Sequence, residues 1–242
     1  MSRPFEITRE VDLPAAPGDV WTAITADAAA WQFPGLEIPA GEEPPEDAPV
    51  TTWDPPHRLV IRVESPDGTF NALDYSIEAR EGGTAHLRYV HSGILADEWE
   101  DQYDAIGGHT DFYLHTLGQY LEHFNGRPVT YVGQPSSGIE GPESAGTPDA
   151  MEVLRTALGV SPEAALGDEV HASLGDAGAL DGVIDYSTPE FLGVRTADGL
   201  YRFFGRNHYG SVVGMSAHLF VDGVDAAEHE AALKAWLDAV YA

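Results

Sequence analysis

Three segments of alternating polarity, at 57–64 (HRLVIRVE), 69–80 (TFNALDYSIEAR) and 84–92 (TAHLRYVHS), constrain this chain more than any other feature. A period of two places successive side chains on opposite faces of a strand, so parity separates a buried face from a wet one. Leu59, Ile61, Val63, Leu73, Tyr75, Ile77, Leu87 and Tyr89 fall on one face, and His91 shares their parity. Arg62, Asp74, Glu78, His86 and Arg88 fall on the other, where they can pair across strands. SPDG and EGG separate the segments, and both are turn compositions. The expected unit is an antiparallel meander with one face on a core.

The flanking sequence extends this unit. Residues 4–13 alternate Phe5, Ile7, Val11 and Leu13 against acidic and hydroxyl side chains, with Arg9 as the one break in the apolar face. Pro17 and Asp19 suit the first turn of a helix carrying Val20, Trp21 and Ile24, and a second short helical piece is expected at Ala28–Trp31. Residues 34–49 are dominated by proline, glycine and acid and read as a loop or shortened hairpin. After the third strand, Trp99, Tyr103, Ile106, Tyr113, Leu117, Leu121 and Phe124 approximate the stripe of a long helix over 97–124. Gly107 and Gly108 should bend or weaken it.

Residues 127–147, rich in glycine, proline and serine, read as a linker between units at 1–126 and 148–242. Beyond it a helix is expected at 148–158, opened by Thr147-Pro148. Strands follow at 168–174, 181–187, 190–196, 200–206 and 211–221, then a helix at 225–241 with Asp225 and Glu228 at its start. TWDPPHRLVIR (52–62) and DYSTPEFLGVR (185–195) match at Trp53/Tyr186, Pro56/Pro189, Leu59/Leu192 and Arg62/Arg195 without a gap. Each precedes further strands and a final amphipathic helix, as expected if both halves are versions of one unit, the second lacking its opening strand. In the first copy, Pro55 and Pro56 make a corner between strands, since proline is excluded from central strands.

The order of strand, two short helices, antiparallel strands and long helix resembles the helix-grip (SRPBCC) superfamily of START domains, Bet v 1-like proteins and polyketide cyclases. The likeness is to the branch named for the activator of Hsp90 ATPase homologue 1. Its W-x-P-P-x-R-L turn corresponds to Trp53, Asp54, Pro55, Pro56, Arg58 and Leu59, its late HSG to His91, Ser92 and Gly93, and its helix-head tryptophan to Trp99. The resemblance covers roughly residues 4–125 and departs at 34–49, where a fuller pair of strands is usual. It implies an α+β chain: a curved antiparallel sheet wrapped on a long C-terminal helix, then a second, reduced helix-grip-like unit. It also implies an apolar cavity between sheet and helix, for which Tyr75, Tyr89, His91, Trp99, Tyr103 and Tyr113 are the expected ligand-binding residues. Plain core is the simpler reading of the aromatic stripe, and a histidine hydrogen-bonded at a strand terminus the simpler reading of His91.

The expectation is a binder of a hydrophobic small molecule, with no cofactor and no metal. Its alternatives are a cyclase or dehydratase using His91 or a cavity tyrosine as a proton carrier, and a chaperone-linked adaptor. Asp97, Glu98, Glu100, Asp101 and Asp104 crowd the start of the long helix, where the positive helix end and solvent account for them. Asp111 and His115, four apart, have metal-ligand spacing without a third ligand. Tyr201, Arg202, Arg206 and His208 gather scarce basic residues that could receive an anion, or merely neutralise acids.

A formal charge of −28 repels phosphate backbones and argues against nucleic acid. There is no cysteine, which removes disulfides and thiolate chemistry. No apolar run approaches the ~20 residues of a membrane span. The opening MSRPFEITREVDLP has no apolar h-region, so a cytoplasmic location is expected. Phosphate loops, dinucleotide fingerprints, G-x-S-x-G and H-E-x-x-H are missing from the sequence.

Overall fold

The alternating segments form strands with the parity the sequence assigns. In the computed structural model, which describes residues 3–66, 68–95, 99–135 and 137–242, the chain divides into two units, Met1–Asn125 and Gly126–Ala242. The first runs β1 (Arg3–Leu13), α1 (Pro17–Thr25), a single 3-10 turn at Ala28–Ala30, β2 (Val50–Asp54), β3 (Arg58–Glu64), β4 (Phe70–Ala79), β5 (Ala85–Leu95) and α2 (Trp99–His123). Its five strands are antiparallel in the order β1-β5-β4-β3-β2. Residues 34–49 contribute no strand.

One face of this sheet meets the helices. Trp21 of α1 packs edge-on against Trp53 of β2 at 4.8 Å, and Trp31 is buried with its indole N–H donated to the Ala23 carbonyl at 2.8 Å. Tyr120 of α2 is fully buried and donates its hydroxyl to Asp27 at 2.8 Å, which satisfies the one polar atom its ring takes inside. Arg9, the break in β1's apolar face, reaches α2 and forms a two-pronged pair with Asp111 at 2.5 and 3.1 Å. The helix runs unbroken through Gly107 and Gly108, where the sequence suggests a bend. A Cβ at Gly107 would lie 3.8 Å from the Arg9 guanidinium, an ordinary van der Waals contact, so that side chain does not require a glycine there. On the opposite face Asp12 pairs with His86 at 2.8 Å and Arg58 with Asp74 at 2.8 Å, the cross-strand pairing expected of a wet surface.

The second unit contains β6 (Thr130–Val132), β7 (Ile139–Glu140), α3 (Ala150–Ala157), β8 (Glu169–Ser173), β9 (Ala179–Ser187), β10 (Phe191–Thr196), β11 (Gly199–Phe204), β12 (Gly214–Leu219) and α4 (Ala226–Val240). Its sheet order is β6-β12-β11-β10-β9-β8, with β7 also on β12. Residues 127–147 are therefore not a linker: β6 and β7 both pair with β12. Three- and two-residue strands are too short to show a period, and their partner lies about eighty residues onward, so only tertiary pairing defines them. α3 starts from Asp149, without a side-chain cap from Thr147. α4 starts as expected, with the Asp225 carboxylate accepting from Ala227 and Glu228 N–H groups at 3.0 and 3.1 Å.

The two units follow one circuit. In each, the first strand pairs with the last, a helix follows the opening strand or strands, a meander returns across the sheet, and a helix closes the unit. The expected second helix-grip-like unit is present, but its opening strand is not missing: β6 takes the place of β1, and β8 is an additional edge strand. The matched corners at Pro56 and Pro189 coincide with this circuit. Trp53 and Tyr186 lie on the strand before the corner, Pro56 and Pro189 in it, and Leu59 and Leu192 buried on the strand after it. Trp53 pairs with Leu59 whereas Tyr186 pairs with Gly193, so the second corner is longer by one residue. The core of the second unit is built from Leu180, Leu192, Phe203, Met215, Leu233 and Leu237, among others. Each such leucine, fully buried, contributes about 1.5–3 kcal/mol relative to exposure.

Candidate functional site

The helix-facing side of the first sheet can be followed as rows across the strands. One row runs Arg9, Tyr89, Tyr75, Leu59, Trp53; the next runs Ile7, His91, Leu73, Ile61, Val50. A third contains Phe5, Gly93, Asn71 and Val63. On β3 and β4 burial decreases from row to row. Tyr75, Tyr89 and Leu59 are buried, Leu73 and Ile61 are half-buried, and Val63 is 53% exposed.

Tyr75 and Tyr89 are direct cross-strand partners with ring centroids 5.0 Å apart. Burial holds both phenols well above their ordinary pKa, and for Tyr89 the neighbouring Tyr75 adds to the shift. They remain neutral hydroxyls throughout the physiological range. His91 lies beside them, its ring 6.4 Å from Tyr89 and edge-on to Phe5 at 5.1 Å. Its Nε2 is 2.8 Å from Asn71 Oδ1. Desolvation lowers its pKa to about 4, so the imidazole is neutral near pH 7. With Oδ1 accepting, Nε2 carries the proton and Nδ1 presents a lone pair. Gly93, opposite Phe5, explains the last letter of HSG in steric terms. A Cβ there would lie 2.5 Å from the Phe70 carbonyl oxygen and 2.7 Å from the Phe5 ring.

Of the six side chains expected to line a cavity, Tyr75, Tyr89 and His91 come together in this way. Tyr113 stands on α2, edge-on to Phe33 at 5.5 Å and 6.2 Å from His109. The side chains of Trp99 and Tyr103 lie outside the described residues, as do those of Glu100, Asp101 and Asp104; Asp97 and Glu98 lie outside them altogether. Asp111 is taken up by Arg9, and among the described residues no group of three or more potential ligands is placed to hold a metal ion.

The basic group of the second unit does not converge on an anion site. Arg202 is 1% exposed and makes a two-pronged ion pair with buried Asp185, both bonds 2.8 Å. The pair crosses Gly193, where a Cβ would come within 2.3 Å of Asp185 and 2.4 Å of Arg202. Arg206 donates to the Ser137 carbonyl at 2.6 Å and lies over the Phe204 ring, while Tyr201 belongs to the core. His208 borders a cleft of about 540 Å³ between α3 and the Pro189 corner, also lined by Met151, Arg155, Val160 and Pro162. In it Arg155 donates to Ser187 Oγ (3.2 Å) and to the carbonyls of Thr188 (2.5 Å) and Phe191 (3.0 Å). Desolvation lowers its pKa while Glu190 opposes this. Both hydrogens of one terminal nitrogen are committed to corner carbonyls, which makes Arg155 a clasp for the corner.

Sequence reasoning missed Asn71, Arg155 and the roles of Arg9 and Asp185. The available signals were the cation interrupting β1's apolar face and the placement of Asn71 at inward parity on β4.

The strand circuit and closing helix of the first unit define a helix-grip architecture, and the second unit repeats that circuit within an α+β chain. No family model and no curated protein matches the chain. Among solved structures, protein MLL2253 from Mesorhizobium loti is similar at 17% identity over 50% of this chain and 98% of its own, with a TM-score of 0.40. The Aha1 dimer from Colwellia psychrerythraea is similar at 19% identity over 49% and 96%, with a TM-score of 0.38. DynU16, a putative protein in the dynemicin biosynthetic locus, is similar at 13% identity over 98% and 95%, with a TM-score of 0.39. At such scores these likenesses carry no weight for function. Among the described residues no helix is long and apolar enough to cross a membrane.

Proposed function

We propose that the first unit binds a hydrophobic small molecule on the helix-facing side of its sheet. The observation that carries this reading is the His91–Asn71 pair, a neutral hydrogen-bonding group set beside half-buried Leu73 and Ile61 on the helix-facing side of the sheet. Small-molecule sites combine apolar walls with a few placed polar groups in this manner. Tyr75 and Tyr89 form the buried floor next to it. The effect of burial on the titratable groups favours binding over proton transfer. A base with a pKa of about 4 is poorly matched to chemistry near pH 7, and the two phenols are held too high to act as bases.

Fluorescence titration with Nile red, an uncharged apolar dye, tests the reading. Saturable binding by the whole protein, lost in Leu73→Asn with the circular dichroism spectrum unchanged, is the expected result. Failure of Nile red to bind, together with no apolar compound in solvent extracts of the purified protein, would overturn it.

A further inference from the structure

The charges around this face say what kind of molecule it accepts. The strand positions of the face carry one formally charged group among the described side chains, Arg9, and Asp111 already takes it in a two-pronged pair. The described inward positions contain no carboxylate: Glu6, Glu10, Asp12, Glu64, Asp74 and Glu78 all have the opposite parity. Among the described strand positions, a ligand carboxylate placed beside Leu73 and Ile61 would find no cation to compensate its lost hydration, and an ammonium no anion. The chain's formal charge of −28 adds a further bias against anions.

What the face does offer is uncharged. The His91 Nδ1 lone pair can accept a hydroxyl proton, and the Asn71 amide can donate to a hydroxyl or carbonyl oxygen. Resting on the binding reading above, we propose that the ligand is an electrically neutral hydrophobe bearing a hydroxyl or carbonyl group, which meets His91 and Asn71 while its apolar body covers Leu73 and Ile61. Fatty acids and hydrophobic amines are thereby excluded as ligands of this face.

A matched series on one carbon skeleton tests this by calorimetry on the full chain at pH 7: 2-naphthylmethanol, 2-methylnaphthalene, 2-naphthoate and 2-naphthylmethylammonium. The alcohol should bind at least 10-fold more tightly than either ion and about 3- to 10-fold more tightly than the hydrocarbon, the range of one net hydrogen bond. In His91→Phe the advantage of alcohol over hydrocarbon should vanish while the hydrocarbon still binds. If naphthoate or the ammonium binds as tightly as the alcohol, the neutral-ligand inference falls and the binding reading stands. If the alcohol has no advantage over the hydrocarbon, or retains it in His91→Phe, the assignment of His91 and Asn71 falls. If none of the four binds and Nile red does not either, the binding reading itself fails.

Discussion

Tyr75 on β4 and Tyr89 on β5 stand directly opposite one another, their rings 5.0 Å apart and tilted by 59°, and nearly all of both side chains is inside the first unit. The rings contribute to the fold through packing, whatever their hydroxyls do for a ligand. Tyr75→Phe should leave the thermal midpoint within a few degrees of wild type, whereas Tyr75→Ala should cost about 3–5 kcal/mol, as removal of a buried aromatic ring does. Denaturant unfolding of the two variants checks the contrast.

His91 makes the stability of the first unit depend on pH. Its pKa is about 4 when folded against about 6.5 when unfolded, so between these values the unfolded chain binds the proton and the folded one does not. Stability attributable to His91 is therefore full above about pH 7.5 and falls as the pH is lowered, by roughly 1–2 kcal/mol at pH 5. His91→Gln should remove that component of the slope. Parallel denaturant titrations at pH 7.5 and pH 5 measure the difference, and equal slopes in the two proteins would refute the assignment.

Gly193 is required by what crosses it. Gly193→Ala would drive a Cβ into the Asp185–Arg202 pair, and a loss of more than about 3 kcal/mol or failure to fold is expected. Asp185→Asn keeps the shape but leaves the Arg202 charge buried without its carboxylate, for which about 3–5 kcal/mol is expected. Arg9→Ala removes a half-exposed pair and should cost under about 1 kcal/mol, less at high salt. Chemical denaturation of the three variants at low and high ionic strength separates these outcomes.

The Asp225 cap provides a calibrated case. Asp225→Ala leaves the Ala227 and Glu228 N–H groups without their acceptor, and a loss of about 1 kcal/mol is expected, with Asp225→Asn near neutral. Thermal unfolding of both variants is sufficient to check it.

These contacts divide sharply by how much of them a sequence can express. The parity of Leu59, Tyr75 and Tyr89 and the stripe and cap of α4 are local patterns, repeated every two or three to four residues, and they were legible. β6 and β7 were not, because strands of three and two residues carry no period and exist only through β12. Glycine, proline and serine in 127–147 signal turns, and turns occur inside a unit as well as between units. At the site, parity placed Tyr75, Tyr89 and His91 on one face. Asn71 escaped notice because its partner is 20 residues away, and Arg9 because Asp111 is 102 residues away. The Asp185–Arg202 pair depends on a register shift at Gly193/Val194 that no alternation of residue types encodes.

Methyl NMR of the isoleucine, leucine and valine side chains, titrated with 2-naphthylmethanol, tests the central claim most directly. The account predicts saturable shifts at Ile61, Leu73 and Ile7 in the first unit, while Leu180, Ile184 and Leu192 in the core of the second remain unmoved. Shifts absent from Ile61 and Leu73, or equally large in the second unit, would contradict it.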